Sequence, residues 1–109
     1  MNAAGPAFIS TVIETELTTV LLALGDPVRL AIVRELDADG TRACGSFDHL
    51  GVGRPTLSHH FKVLREAELI ETHADGQRRL NTLRRAEIDA RFPGLLDSVL
   101  GASPIPEVR

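Results

Sequence analysis

The stretch Gly51-Val52-Gly53-Arg54-Pro55-Thr56-Leu57-Ser58-His59-His60-Phe61-Lys62-Val63-Leu64-Arg65-Glu66-Ala67 decides the fold. Its paired glycines make a tight turn, and Pro55 suits a first helical turn because the N–H it lacks has no partner there. Leu57, Phe61 and Leu64 then recur at i, i+4 and i+7, so the spacing predicts an amphipathic helix over about Pro55 to Ala67 with those three on the core face. Pro55, Ser58, His59, Lys62 and Glu66 occupy the opposite face. Just upstream, Ser46 is expected to cap a brief helix over Phe47 to Leu50. A short helix, a glycine turn and a second helix with a polar, partly basic outer face together make a helix-turn-helix.

Downstream, Leu69–Thr72 and Arg78–Thr82 read as two strands around His73-Ala74-Asp75-Gly76-Gln77, with Asp75-Gly76 as the hairpin signal. A two-stranded ribbon with arginines near its tip, directly after a helix-turn-helix, is a wing. Helix is predicted again over Arg84–Arg91, interrupted at Pro93-Gly94 and continued through Leu95, Leu96, Val99 and Leu100. Upstream, Gly25 ends one helix, while Asp26 offers an N-cap oxygen and Pro27 a first helical position for the next, which runs to about Leu36. Asp37–Gly45 is a loop or short strand. Val12, Ile13, Leu17, Val20, Leu21 and Leu24 place the first helix before Gly25, with a break near Thr15. The expected architecture is mainly α with a small β-hairpin, a winged helix-turn-helix over residues 11–100 between flexible tails at 1–10 and 101–109.

Composition narrows the function. At 109 residues the chain suits one domain, and 43% hydrophobic with 25% charged residues excludes a disordered, collagen-like or coiled-coil chain. With no Trp, no Tyr and four Phe, stacking of bases on aromatic rings has almost no material, which argues against an RNA-recognition sheet. No apolar run approaches the roughly 20 residues of a membrane span, and Met1–Ser10 lacks the pattern of a secretory signal. The single Cys44 forms no internal disulfide and fits a reducing cytoplasm, and it excludes a multi-cysteine zinc site within one chain.

The formal net charge of −3 argues against a nucleic-acid partner until its distribution is read. From Arg54 to Arg85 seven basic residues stand against four acidic ones, a net +3; elsewhere five basic residues stand against eleven acidic, a net −6. One face able to meet an anion on an otherwise acidic body produces this asymmetry, although solvated surfaces also show local excesses.

The strings ALGDPVRLAIV (Ala23–Val33) and TLSHHFKVLREA (Thr56–Ala67), in this order and followed by a wing, closely resemble the ArsR/SmtB family of bacterial winged-helix transcription regulators. The resemblance covers roughly Leu17 to Leu100. It implies a homodimer that binds double-stranded DNA at imperfect palindromes as a repressor and leaves it when a metal ion or other inducer binds. The family's ligand sets do not carry over. In place of a cysteine-rich motif stands Cys44-Gly45-Ser46-Phe47-Asp48-His49, and the C-terminal helix offers Glu87 and Asp89 without histidine. Glu68 stands where the family commonly has glycine. A side chain at a left-handed helix cap costs on the order of 1 kcal/mol, so the recognition helix is expected to end differently here.

Side chains in the first turns of such a helix reach base edges in the major groove, and Arg54, Thr56, Ser58 and His59 are best placed; Lys62, one turn on, suits a phosphate. The alternative is a solvated polar face. His60 lies beside the core row, where a packed or a capping histidine is expected instead of a base reader. Gln77, Arg78 and Arg79 belong to the wing, where strand alternation lets one of the two arginines face DNA squarely. Cys44, Asp48, His49 and His73 supply ligand types that nickel, cobalt or zinc accept, yet their spacing matches no strong motif, and a lone Cys is often a small buried hydrophobe. No cofactor is required. Ser58 and His59, adjacent on a helix, diverge by about 100° and make no preorganised nucleophile and base, so an enzyme is not expected. Ile13, Leu17, Val20 and Leu21, with Leu95, Leu96 and Val99, exceed what a chain this size readily hides; a dimer covers them, or both terminal helices pack on their own domain. A second reading keeps the fold but makes it an interaction module, with an acidic surface recruiting a protein partner that does the sensing.

Overall fold

Helix boundaries follow from a few capping residues. The computed structural model describes residues 12–102. In it α1 spans Leu17–Leu24 and α2 spans Pro27–Asp39. Asp26 separates them: its carboxylate accepts from the backbone N–H of Val28 at 2.9 Å and of Arg29 at 3.1 Å, and Pro27 opens the helix. Loss of such a cap typically costs about 1 kcal/mol. The first helix starts later than its apolar spacing suggests, because residues 12–16 run outside any helix; Ile13 is nevertheless buried, with Arg91 Nε donating to its carbonyl at 3.2 Å.

Strand β1 (Arg42–Ala43) follows, then a 3-10 helix (Cys44–Leu50), α3 (Arg54–Glu66), β2 (Ile70–Asp75), β3 (Arg78–Leu83), α4 (Arg85–Arg91) and α5 (Leu95–Gly101). The expected two-stranded wing is one part of a three-stranded antiparallel sheet of order β1-β3-β2, in which Arg42 pairs with Asn81 and Ala43 with Leu80. Ser46 does not cap the short helix as expected. It lies inside it, and its hydroxyl donates back to the Ala43 carbonyl at 2.7 Å. The hairpin turn is Gly76-Gln77, one residue later than the Asp-Gly signal, closed by the Asp75–Arg78 pair. Gly76 has φ +63° while Gln77 is not left-handed, the pattern of a type II′ turn, which wants Gly at its first central position.

The end of α3 departs from expectation. Glu68 has φ +63°, and Glu68 N–H donates to the Arg65 carbonyl while Leu69 N–H donates to that of Leu64, a complete Schellman motif with glutamate at the position glycine usually takes. The different ending expected from the missing glycine is therefore not seen: the left-handed cap forms with glutamate in place. Strain there is offset by the side chain: Glu68 Oε1 accepts from the backbone N–H of both Glu14 and Thr15 at 2.8 Å, and Arg84 stands 3.9 Å away. Glu68 thus ties the N-terminal segment to the end of α3.

A single core joins Val20, Ile32, Val33, Leu36, Phe47, Phe61, Leu64, Leu69, Ile88 and Leu96. Leu57, Phe61 and Leu64 all point into it, and burying each side chain contributes about 1.5–3 kcal/mol to holding α3 in place. Of the tail expected at 101–109, Gly101 instead closes α5; residues 103–109, like the tail expected at 1–10, lie outside the described residues. Among the described residues no helix is long and apolar enough to cross a membrane.

Candidate nucleic-acid interface

Helix α3 presents four rows of side chains, each set by the turn of about 100° per residue. Leu57, His60, Phe61 and Leu64 face the core. Pro55, His59, Lys62 and Glu66 face solvent, with Lys62 loosely paired to Glu66 at 3.9 Å. Thr56 is exposed on one flank, and Arg54, Ser58 and Arg65 form the other. That last flank borders a cavity of about 320 Å³ between α3, the start of the 3-10 helix and β3, where Cys44, Asp48, Leu57, Phe61 and Arg79 complete the lining.

The arginines of the described residues divide sharply. Arg29 and Arg34 donate to backbone carbonyls, Arg42 pairs with Glu35 and Asp39, Arg85 with Asp37, Asp89 and Asp97, Arg84 with Glu68, and Arg91 donates to Ile13. The side chains of Arg54, Arg65 and Arg79 have no hydrogen-bond or ion-pair partner among the described residues, and all three line the one cavity. Three convergent guanidinium groups unpaired among the described residues, against the single carboxylate of Asp48, form an electropositive groove ready for an anion.

Of the wing residues, Arg79 belongs to this groove, whereas Arg78 pairs with Asp75 at 2.9 Å across the hairpin end; Gln77 is exposed at the tip. Arg54, Ser58 and Arg79 are therefore brought together, while Thr56, His59 and Lys62 lie on other faces of the same helix. Sequence reasoning missed Arg65. Its signal was present, since Arg54, Ser58, Phe61 and Arg65 fall at i, i+4, i+7 and i+11.

The groove is held from behind by a polar cluster. His60 is buried, with Nδ1 3.1 Å from an Arg29 guanidinium nitrogen and Nε2 3.8 Å from Asp26. Because Arg29 can only donate, Nδ1 accepts and the ring proton sits on Nε2, toward the carboxylate. Arg29 also donates to the carbonyls of Ala23 and Leu22, so one side chain links the end of α1, the start of α2 and the inner face of α3. Burial, with Arg29 and His59 nearby, holds the His60 pKa below the ordinary histidine value against the pull of Asp26. Burial alone would raise the Asp26 carboxyl, but the Arg29 and Val28 N–H bonds and the charges of His60 and Arg29 bring it below its usual value.

The four candidate metal ligands are not assembled as a set, although Cys44 and Asp48 both border the groove. Cys44 Sγ accepts from the buried Asn81 Nδ2 at 3.1 Å, His49 Nε2 lies 2.8 Å from Glu35, Asp48 borders the groove, and His73 is exposed on β2. Glu35 is itself held below the usual carboxylate range, since bonds from His49 and Arg42 outweigh its burial. Among the described residues no three His, Cys, Asp or Glu side chains are grouped to hold a metal ion. Of the apolar residues expected on a dimer face, Ile13, Val20 and Leu96 are instead consumed by the domain's own core. Leu95 and Val99 are half-buried against that core, and Leu17 and Leu21 remain more than 40% exposed, as do Val12 and Leu22.

Comparison with known proteins bears on this geometry. A helix-turn-helix domain model matches residues 24–73, which span α2, the 3-10 helix and α3. An arsenical resistance operon repressor of Staphylococcus xylosus is 38% identical over 74 residues, covering 68% of this chain and 71% of that protein. The transcriptional repressor SdpR of Bacillus subtilis is 33% identical over 61 residues, 56% of this chain and 68% of its own. Among solved structures, the transcriptional repressor BigR of Xylella fastidiosa superposes with a TM-score of 0.57 at 30% identity, covering 70% of this chain and 85% of that one. An ArsR family transcriptional regulator shares the fold at a TM-score of 0.64.

Proposed function

The chain belongs to the ArsR family of winged helix-turn-helix transcriptional regulators, and from that premise we propose that it is a homodimeric repressor. It binds DNA through α3 and the wing. The observation that carries this reading is the set of three arginines, unpartnered among the described residues, that face one groove between those two elements, while the other described arginines are spent on carboxylates and carbonyls. Arg54, Ser58 and Thr56 lie in the first two turns of α3, where side chains reach base edges, and Arg54 can bond guanine bidentately. Lys62 is one turn further on and suits a backbone phosphate.

Dimerisation follows from α1. Leu17 and Leu21 fall at i and i+4 on one strip of α1, each more than 40% exposed, beside the exposed Leu22, an apolar surface that a second copy would cover. A two-fold pairing through this strip would set two recognition helices about 34 Å apart, one turn of B-DNA. The family's cysteine-rich ligand set does not stand in this sequence, and nickel, cobalt or zinc are the first effectors to try.

Fluorescence anisotropy on duplex from upstream of the protein's own gene, at two salt concentrations and with chelator followed by each metal, tests the reading. Sequence-selective binding that weakens steeply with salt is the expected result. Leu21→Glu should convert a dimer seen by light scattering into a monomer and weaken operator binding. Selective binding absent from the pure protein and restored by a co-purifying protein would replace this reading with the partner-dependent one.

A further inference from the structure

We propose that the groove between α3 and β3 is an oxyanion site that seats a phosphate group, with Arg65 as its anchor on the recognition helix. The inference rests on the DNA-binding reading and deepens it. Arg54, Ser58 and Arg65 approach from one wall, and Arg79 approaches from the other. Asp48 is the single carboxylate in the lining, so three cations face one anion across a space of about 320 Å³. A guanidinium with no protein partner keeps all its N–H donors for a ligand, and its planar fork matches two oxygens of one phosphate.

Placement decides which phosphate. When α3 lies in a major groove and the hairpin approaches the neighbouring minor groove, the sugar-phosphate strand dividing the two grooves must cross between them, which is where this cavity lies. Arg65, in the last turn of α3, is too far from the N-terminal turns to read bases there. It can hold only the strand. Leu57 and Phe61 beneath give a dry floor that strengthens each charged hydrogen bond. A small phosphorylated molecule offers the same oxygens, and the same site would then be the place where an effector competes with DNA.

Cys44 makes the proposal measurable, because it borders the cavity and is the chain's single cysteine. The rate of its alkylation by iodoacetamide is read for the full chain alone, with saturating duplex, and with inorganic phosphate replacing chloride at equal ionic strength. Arg65→Gln and Arg65→Lys are run in parallel, with unfolding midpoints to show that both fold. Duplex should slow alkylation of the wild type. Arg65→Gln should weaken binding about tenfold on operator and unrelated duplex alike and lower the salt slope by about one, while Arg65→Lys keeps the slope and loses part of the affinity. Shielding by duplex alone names DNA as the source. Shielding by millimolar phosphate that Arg65→Gln abolishes names a free phosphate-bearing ligand, and this too upholds the site. Should duplex bind while Cys44 reacts at the free rate, phosphate give no shielding and Arg65→Gln match the wild type, the site is refuted and the DNA-binding reading survives. Should duplex fail to bind at all, that reading falls and the phosphate arm alone decides the site.

Discussion

Arg29 and Arg54 both serve the recognition helix and do opposite things. Arg29, behind α3, spends its guanidinium on His60 and on the carbonyls of Leu22 and Ala23; Arg54, on the outer flank, has no partner among the described residues. The same residue type stabilises the fold where its donors are used and leaves a function open where they are not. Arginines whose donors are spent inside the domain mark architecture, and the unpaired convergent ones mark the interface.

The comparison is broken most severely at Arg29. Arg29→Ala removes charge-assisted bonds to the end of α1 and to a buried ring, and should destabilise the domain by about 2–3 kcal/mol, read as a lowered denaturant midpoint. Arg54→Ala and Arg79→Ala should do the reverse: stability within about 0.5 kcal/mol of wild type, as for a surface change without partners, but DNA affinity down about tenfold each. An Arg54→Ala protein that unfolds early would contradict the division.

Glu68 sharpens the same contrast on a smaller scale. Glu68→Ala keeps the left-handed strain and loses the bonds to Glu14 and Thr15, whereas Glu68→Gly loses the bonds but relieves the strain, so the glycine variant should be more stable than the alanine one by about 1 kcal/mol. Equal midpoints would mean that the backbone there carries no strain.

The smallest effect is with pH. His60 is held neutral by burial, with Asp26, Arg29 and His59 as the charges facing it. Below the ordinary histidine value of about 6.5 the unfolded chain binds a proton that the folded ring resists, so stability present at pH 7 is lost as pH falls from there toward the lowered folded value. Protonation also turns Nδ1 into a donor against Arg29, which has only donors to offer. Thermal midpoints between pH 7.5 and 5.5 should fall for the wild type and fall less for His60→Gln.

Local chemistry made much of this legible in advance. Asp26-Pro27 marked a helix start, the 57-61-64 row marked the buried face of α3, and the two short strands marked a wing. What escaped was non-local. A two-residue strand such as Arg42–Ala43 exists only because β3 offers it a ladder, and Ile13 is buried outside a helix because Glu68 and Arg91, far along the chain, hold its segment. Cys44, Asp48 and His49 looked like a ligand group because they are close in sequence, but Asn81 and Glu35 engage two of them from other elements. Arg65 is the opposite case: its row is readable from the spacing, but it lies in the last turn of α3, beyond the first turns from which side chains reach base edges.

The division between paired and unpaired arginines is tested most directly by the slope of log affinity against log salt for wild type and the Arg65→Gln, Arg79→Ala double variant, with unfolding midpoints measured on the same samples. The account predicts a slope shallower by about two with unchanged midpoints, one released counterion for each arginine removed. An unchanged slope, or a slope that changes only together with a collapse in stability, would contradict it.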